Sequence, residues 1–94
     1  MRHANRLLEQ ATRTLAKHGE RYGPPQPLFE NAAKRWSLTL GVEVSAGQVI
    51  TCLIDLKLAR LNNNPGHQDS ILDVAGYAAI LNEIIHNNGG AHGV

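Results

Sequence analysis

The stretch that most constrains this chain is Asn62-Asn63-Asn64-Pro65-Gly66. An asparagine run followed by proline and glycine stops a helix. On each side lies an apolar run with helical period. Before it, Val49, Ile50, Cys52, Leu53, Ile54, Leu56, Leu58 and Leu61 predict a third helix over 46–61. After it, the pattern predicts a fourth helix over about 68–87. The natural reading is a helical hairpin. Two cations, Lys57 and Arg60, sit near the end of the first run, and two anions, Asp69 and Asp73, at the start of the second. This placement also suits the helix dipoles, with bases at a C-terminus and acids at an N-terminus.

The third helix is apolar almost all round, which predicts a central position with Thr51 and Asp55 on its most exposed side. Projected at about 100° per residue, Lys57 and Arg60 fall among Val49, Ile50 and Leu53. Cations on an apolar face need partners, because burying an unpaired charge costs several kcal/mol in order of magnitude. Asp69, Asp73 and Tyr77 recur at i, i+4, i+8 and share a face with Ile80 and Ile84. Gly76 in mid-helix costs about 1 kcal/mol against alanine, which suggests close approach by another backbone or a ligand. Ser45 and Gln48 have capping-box spacing, and Val44 and Val49 hydrophobic-staple spacing, at the start of the third helix.

Upstream, Ala4, Leu7, Leu8, Ala11 and Leu15 predict an amphipathic first helix over 3–18, ended by Gly19. Arg2, Arg6, Glu9, Arg13 and Lys17 stripe its opposite side, either as a solvated face or facing phosphate. Residues 20–27, with three prolines and Gly23, read as a stiff connector. It would present Arg21 and Tyr22, a guanidinium beside a phenol, either to a phosphate and a base or to solvent and the end of the helices. Phe29, Ala32, Ala33, Trp36 and Leu40 predict a second helix over 28–40, with Trp36 in the core and Gly41 as its stop. After the fourth helix, Asn88-Gly89-Gly90 reads as a stop and the last four residues as a frayed tail. The expectation is an all-α fold, an antiparallel four-helix bundle forming one domain over 1–94.

Formal net charge is +1, but residues 1–36 carry +4 and residues 37–94 carry −3. The split favours an anionic ligand or self-association over a dedicated nucleic-acid binder. The single cysteine, Cys52, excludes an internal disulfide and reads as a small core residue. No apolar run approaches a membrane span, and the first residues lack the apolar stretch of a signal peptide, so a cytoplasmic protein is expected. The five histidines are scattered, and there is no Walker loop, dinucleotide-binding glycine motif or Cys/His pair at zinc spacing.

With these residues placed, the chain resembles a family of small, mostly phage-encoded helical proteins. The resemblance rests on Arg21-Tyr22-Gly23-Pro24, Phe29, Trp36, residues 40–44, residues 57–62 and residues 69–78. More distantly, the hairpin is similar to the MazG-like all-α nucleotide pyrophosphohydrolases. The resemblance implies Mg²⁺ held by an E-x-x-E pair on one helix and an E-x-x-D pair on the next. Asp73 resembles the last of those acids, and Asp69 lies one residue off its companion. Lys57 and Arg60 stand where the first acidic pair would be. Magnesium needs hard oxygen ligands, so this replacement argues for phosphate binding and against hydrolysis.

Three readings follow. In the first, the protein binds a nucleotide or other phosphorylated small molecule without catalysis or cofactor, as a phage sponge for a host immune signalling nucleotide would. Lys57, Arg60 and Arg21 would hold phosphate, Tyr22 or Tyr77 would stack on a base, and Asp69 and Asp73 would orient the cations or accept hydrogen bonds. In the second, Asp69 and Asp73, with Asp55 or a neighbouring chain's glutamate, hold Mg²⁺ for pyrophosphohydrolysis. In the third, the four charges form only an interhelical salt-bridge cluster in a structural or protein-binding module. A homo-oligomer is expected on each, since a core this small gains from a second copy.

Overall fold

A computed structural model describes residues 1–88. They form four helices and, among the described residues, no strand: α1 (Arg2–Tyr22), α2 (Gln26–Leu40), α3 (Ala46–Asn63) and α4 (Gln68–Asn87). The all-α expectation holds. The tail expected to fray, residues 91–94, lies outside the described residues.

Local chemistry explains most of the boundaries. The Ser45 hydroxyl accepts a bond from the Gln48 amide at 3.1 Å, and the Gln48 side chain accepts one from the Ser45 amide at 2.9 Å. The capping box is therefore complete and fixes the start of α3. Gly41 adopts φ 74°, ψ 18°, the left-handed conformation that glycine takes without a Cβ penalty, and ends α2. Ser37 ties that end to the next turn: its hydroxyl donates to the Ala33 carbonyl at 2.7 Å and accepts from the Val44 amide at 2.8 Å. α4 spans the residues expected of it. Its N-cap is His67, whose Nδ1 accepts from the Ser70 amide at 3.3 Å and lies 2.7 Å from the Ser70 hydroxyl.

The first connection differs from expectation. α1 does not end at Gly19; it continues to Tyr22 and stops at Gly23, which has φ 77°. A single glycine weakens a helix by about 1 kcal/mol without blocking it. The stop comes where glycine precedes Pro24, since proline disfavours the helical conformation of the residue before it. Nor do the prolines hold off α2 until residue 28. Pro25 is its N-cap and Pro27 lies in its first turn, where a missing N–H costs nothing. Arg21 and Tyr22 therefore belong to the last turn of α1, not to a stiff loop.

α3 and α4 pack most extensively on each other, with α2 against α3 and α1 against α4. Val49 and Ile50 of α3, Ile84 of α4, and Phe29 and Ala33 of α2 form the buried cluster, with Trp36, Val44, Leu53 and Ile80 packed around it. Val44 beside buried Val49 matches the staple spacing. At its far end α2 is tied to α4, since Asn87 donates to Gln26 at 2.9 Å and Gln26 donates to Asn88 at 3.3 Å.

Several expectations about burial are corrected. Cys52 is exposed, not in the core. Leu56 and Leu58 are 54% and 49% exposed. α3 is covered by α2 and α4 on one side only, so its all-round apolar character exceeds what this protomer buries. Leu8 and Leu40, placed on apolar faces by periodicity, are likewise exposed. Gly76 also departs from its reading: a Cβ there would meet nothing within 4 Å, so no other backbone approaches it.

Two stability outcomes follow. Ser45→Ala, which removes one half of the reciprocal cap, is expected to cost about 1 kcal/mol in urea unfolding. Gly76→Ala is expected to stabilise the chain by about 0.5–1 kcal/mol, read as a rise of several degrees in Tm. A loss of stability in that variant would show that the helix is already crowded at this position.

Candidate functional site

The charged hairpin forms in part. The Lys57 Nζ lies 3.1 Å from a carboxylate oxygen of Asp73, and the Lys57 side chain is only 18% exposed against 43% for Asp73. The aliphatic stem of Lys57 thus runs through the apolar seam while its ammonium reaches a half-hydrated carboxylate. Arg60 and Asp69 are exposed, and no ion pair joins either of them to another described residue. The hairpin geometry explains the difference. Lys57 and Asp73 stand eight residues on either side of Pro65, whereas the position matching Arg60 is Ser70, which is buried and bonded to His67. Asp69 sits in the first turn of α4, where the helix dipole favours a carboxylate without any cation.

The larger concavity lies beside this pair. A groove of about 580 Å³ runs between α1 and α4, closed at one end by the Pro24-Pro25 connection and the start of α2. Its volume lies within the roughly 300–1,000 Å³ typical of small-molecule sites. Three of the residues singled out in the sequence line it: Tyr22 from α1, and Asp73 and Tyr77 from α4. Tyr77 is half-buried and held edge-on against Phe29, with ring centroids 6.4 Å apart and planes at 83°. Tyr22 is 71% exposed. Glu83 adds a second carboxylate to the lining. Gly19 and Gly76 leave the wall low, since a Cβ at either would meet nothing within 4 Å.

A smaller depression of about 240 Å³ adjoins the groove and shares Thr14, His18 and Tyr22 with it. Lys17 and Arg21 line it, so the cations gather at this edge. The Arg21 guanidinium carbon lies 5.7 Å from the Tyr22 ring centroid, and His18 stacks obliquely on the same ring at 5.8 Å. Sequence reasoning missed His18 and Glu83 as site residues and read Lys17 only as part of the charged stripe of α1. Ending α1 at Gly19 took Tyr22 off the face that His18 occupies. Once the helix runs on, Ala11, Leu15, His18 and Tyr22 share one face at i, i+4, i+7 and i+11.

The arrangement lines one groove with two phenols and two carboxylates and sets Lys17 and Arg21 along the depression that adjoins it. Among the described residues no three or more His, Cys, Asp or Glu side chains come together in a way that could hold a metal ion. No helix is long and apolar enough to cross a membrane.

Comparison with known proteins places the chain. A family model described as "Domain of unknown function (DUF6378)" matches residues 6–85. The "Gene 55 protein" of Mycobacterium phage D29 is 38% identical over 81 residues, covering 83% of this chain and 52% of that protein. The "Gene 55 protein" of Mycobacterium phage L5 is 38% identical over 64 residues, covering 67% of this chain and 41% of that protein. The chain thus spans about half the length of these relatives or less. No solved structure matches. None of these matches is described as a MazG-like enzyme. The resemblance to phage-encoded helical proteins is the part these relatives support, and the chain belongs to the DUF6378 family.

Proposed function

We propose that the protein binds a nucleotide or similar phosphorylated small molecule in the α1–α4 groove and does not turn it over. The observation that carries this reading is the groove itself, a cavity of about 580 Å³ lined by two tyrosines and a carboxylate tethered by Lys57, with Lys17 and Arg21 on the smaller depression that adjoins it. The nucleobase would lie between Tyr22 and Tyr77. Asp73, oriented by Lys57, would accept hydrogen bonds from a base amino group or a ribose hydroxyl. The phosphate would sit toward Arg21 and Lys17, away from Asp73 and Glu83. The phage origin of the relatives suits a sequestering role against a host signalling nucleotide. On this reading the four helices form an antiparallel bundle that opens along the α1–α4 seam.

The pyrophosphohydrolase reading, drawn from the distant MazG-like resemblance, needs several carboxylates around Mg²⁺. Asp69 and Asp73 would have to be joined by acids of another chain. Magnesium-dependent release of pyrophosphate from nucleoside triphosphates would favour it. The structural reading is favoured by one observation, the Lys57–Asp73 ion pair, which by itself gives the largely buried cation a partner. On that reading Lys57→Met shifts stability and nothing else.

The deciding experiment is mass spectrometry of the small molecules that co-purify with the protein, followed by calorimetric titration with mono-, di- and cyclic nucleotides. A phosphorylated species bound at about 1:1 is expected. Arg21→Glu and Gly76→Leu, the latter filling the groove without touching a charge, are each expected to weaken binding at least ten-fold. The Lys57→Met variant is expected to weaken it too, while moving stability by no more than about 1 kcal/mol, because Asp73 remains partly hydrated. A protein that carries no such species and binds no nucleotide in the panel would overturn the proposal.

A further inference from the structure

The outer face of α3 is built like half of a helix–helix seam. Cys52, Leu56 and Ala59 recur at spacings of four and three residues, and all three are exposed. In a seven-residue frame they occupy d, a and d. On α3 itself the charges bordering the strip are Asp55 and Arg60, and exposed Leu58 and Thr51 lie beyond Asp55. Asp55 falls at g and Arg60 at e of this frame. In a parallel pair of helices a g residue meets the e residue five positions on in the partner. Asp55 of one copy would therefore meet Arg60 of the other, and both pairs form by symmetry. Within one protomer no ion pair joins either residue to a described one. An antiparallel pairing would instead set Asp55 against Asp55 and lose this match.

The surface area points the same way. The chain exposes 6804 Å² at a mass of 10.2 kDa. A compact monomer of that mass exposes about 5,300 Å². The excess is larger than the roughly 800 Å² that each partner contributes to a standard interface. Val49, one heptad before Leu56, is 1% exposed in the protomer's own core, so the seam begins at Cys52.

We infer that a second copy of this chain docks in parallel along α3 through Cys52, Leu56 and Ala59, with reciprocal Asp55–Arg60 pairs. This rests on the α3 face alone and is independent of the groove's ligand.

Sedimentation across the micromolar range tests the association, and diamide oxidation tests its direction. Diamide takes up the hydrogens of two thiols as their sulfurs join, which needs Cα atoms within about 7 Å. A dimer that traps through Cys52 is expected. Leu56→Glu is expected to weaken it at least ten-fold with unchanged helical circular dichroism, because Leu56 is 54% exposed and lies outside the buried cluster. Asp55→Arg and Arg60→Asp should each weaken it several-fold, and the two together should restore it. A monomer throughout, a dimer indifferent to Leu56→Glu, or a dimer that resists trapping and shows no charge-swap rescue would each overturn the inference. A different protein occupying this face in the purified material would do so as well.

Discussion

Everything in this fold leans on the meeting of α3 and α4. Val49, Ile50 and Ile84 are almost wholly removed from water there, and α2 adds Phe29 and Ala33 to the same cluster. The apolar side chains buried among the described residues number only six, and one of them, Ala11, lies apart on α1. So thin a core leaves little margin, because a small domain buries a smaller share of its surface than a large one. The caps and tethers compensate. The Ser45–Gln48 box satisfies amides at the start of α3, which would otherwise be left unpaired, while the Ser37 hydroxyl ties α2 to the turn before α3 and the Gln26 side chain ties the start of α2 to the end of α4.

The Lys57–Asp73 pair grows from the same seam. Its cation reaches the carboxylate because the hairpin sets residues at equal distances from the turn opposite one another. The partner of such a pair is decided by register, not by the mere presence of charge nearby. Arg60 and Asp69 are near the turn in sequence, and for that reason no ion pair joins them.

How much of this was legible beforehand depends on whether a signal is local. The capping box, the left-handed stop at Gly41 and the limits of α4 are written in residues a turn apart, and they could be read directly. The end of α1 could not, because Gly19 and Gly23 are equally good stops by type and only the proline after Gly23 decides between them. That one misplacement hid the face carrying His18 and Tyr22, and with it the α1 wall of the groove. Cys52 misled for a different reason. Periodicity reports that a position is apolar, not whether the same chain covers it. The helical class and the Lys57–Asp73 contact were thus accessible from sequence, while the groove needed the packing of α1 on α4.

That packing has a further consequence. α1 is fastened chiefly to α4, and a glycine–proline joint separates it from α2. Segments with few buried contacts exchange their amide hydrogens through partial openings far cheaper than global unfolding. The helix that walls the cleft is therefore also the one with least of its surface buried, Ala11 alone being covered. On the proposed reading, occupancy of the cleft would register first as slowed isotope exchange along α1, well before any change in the melting of the α3–α4 pair.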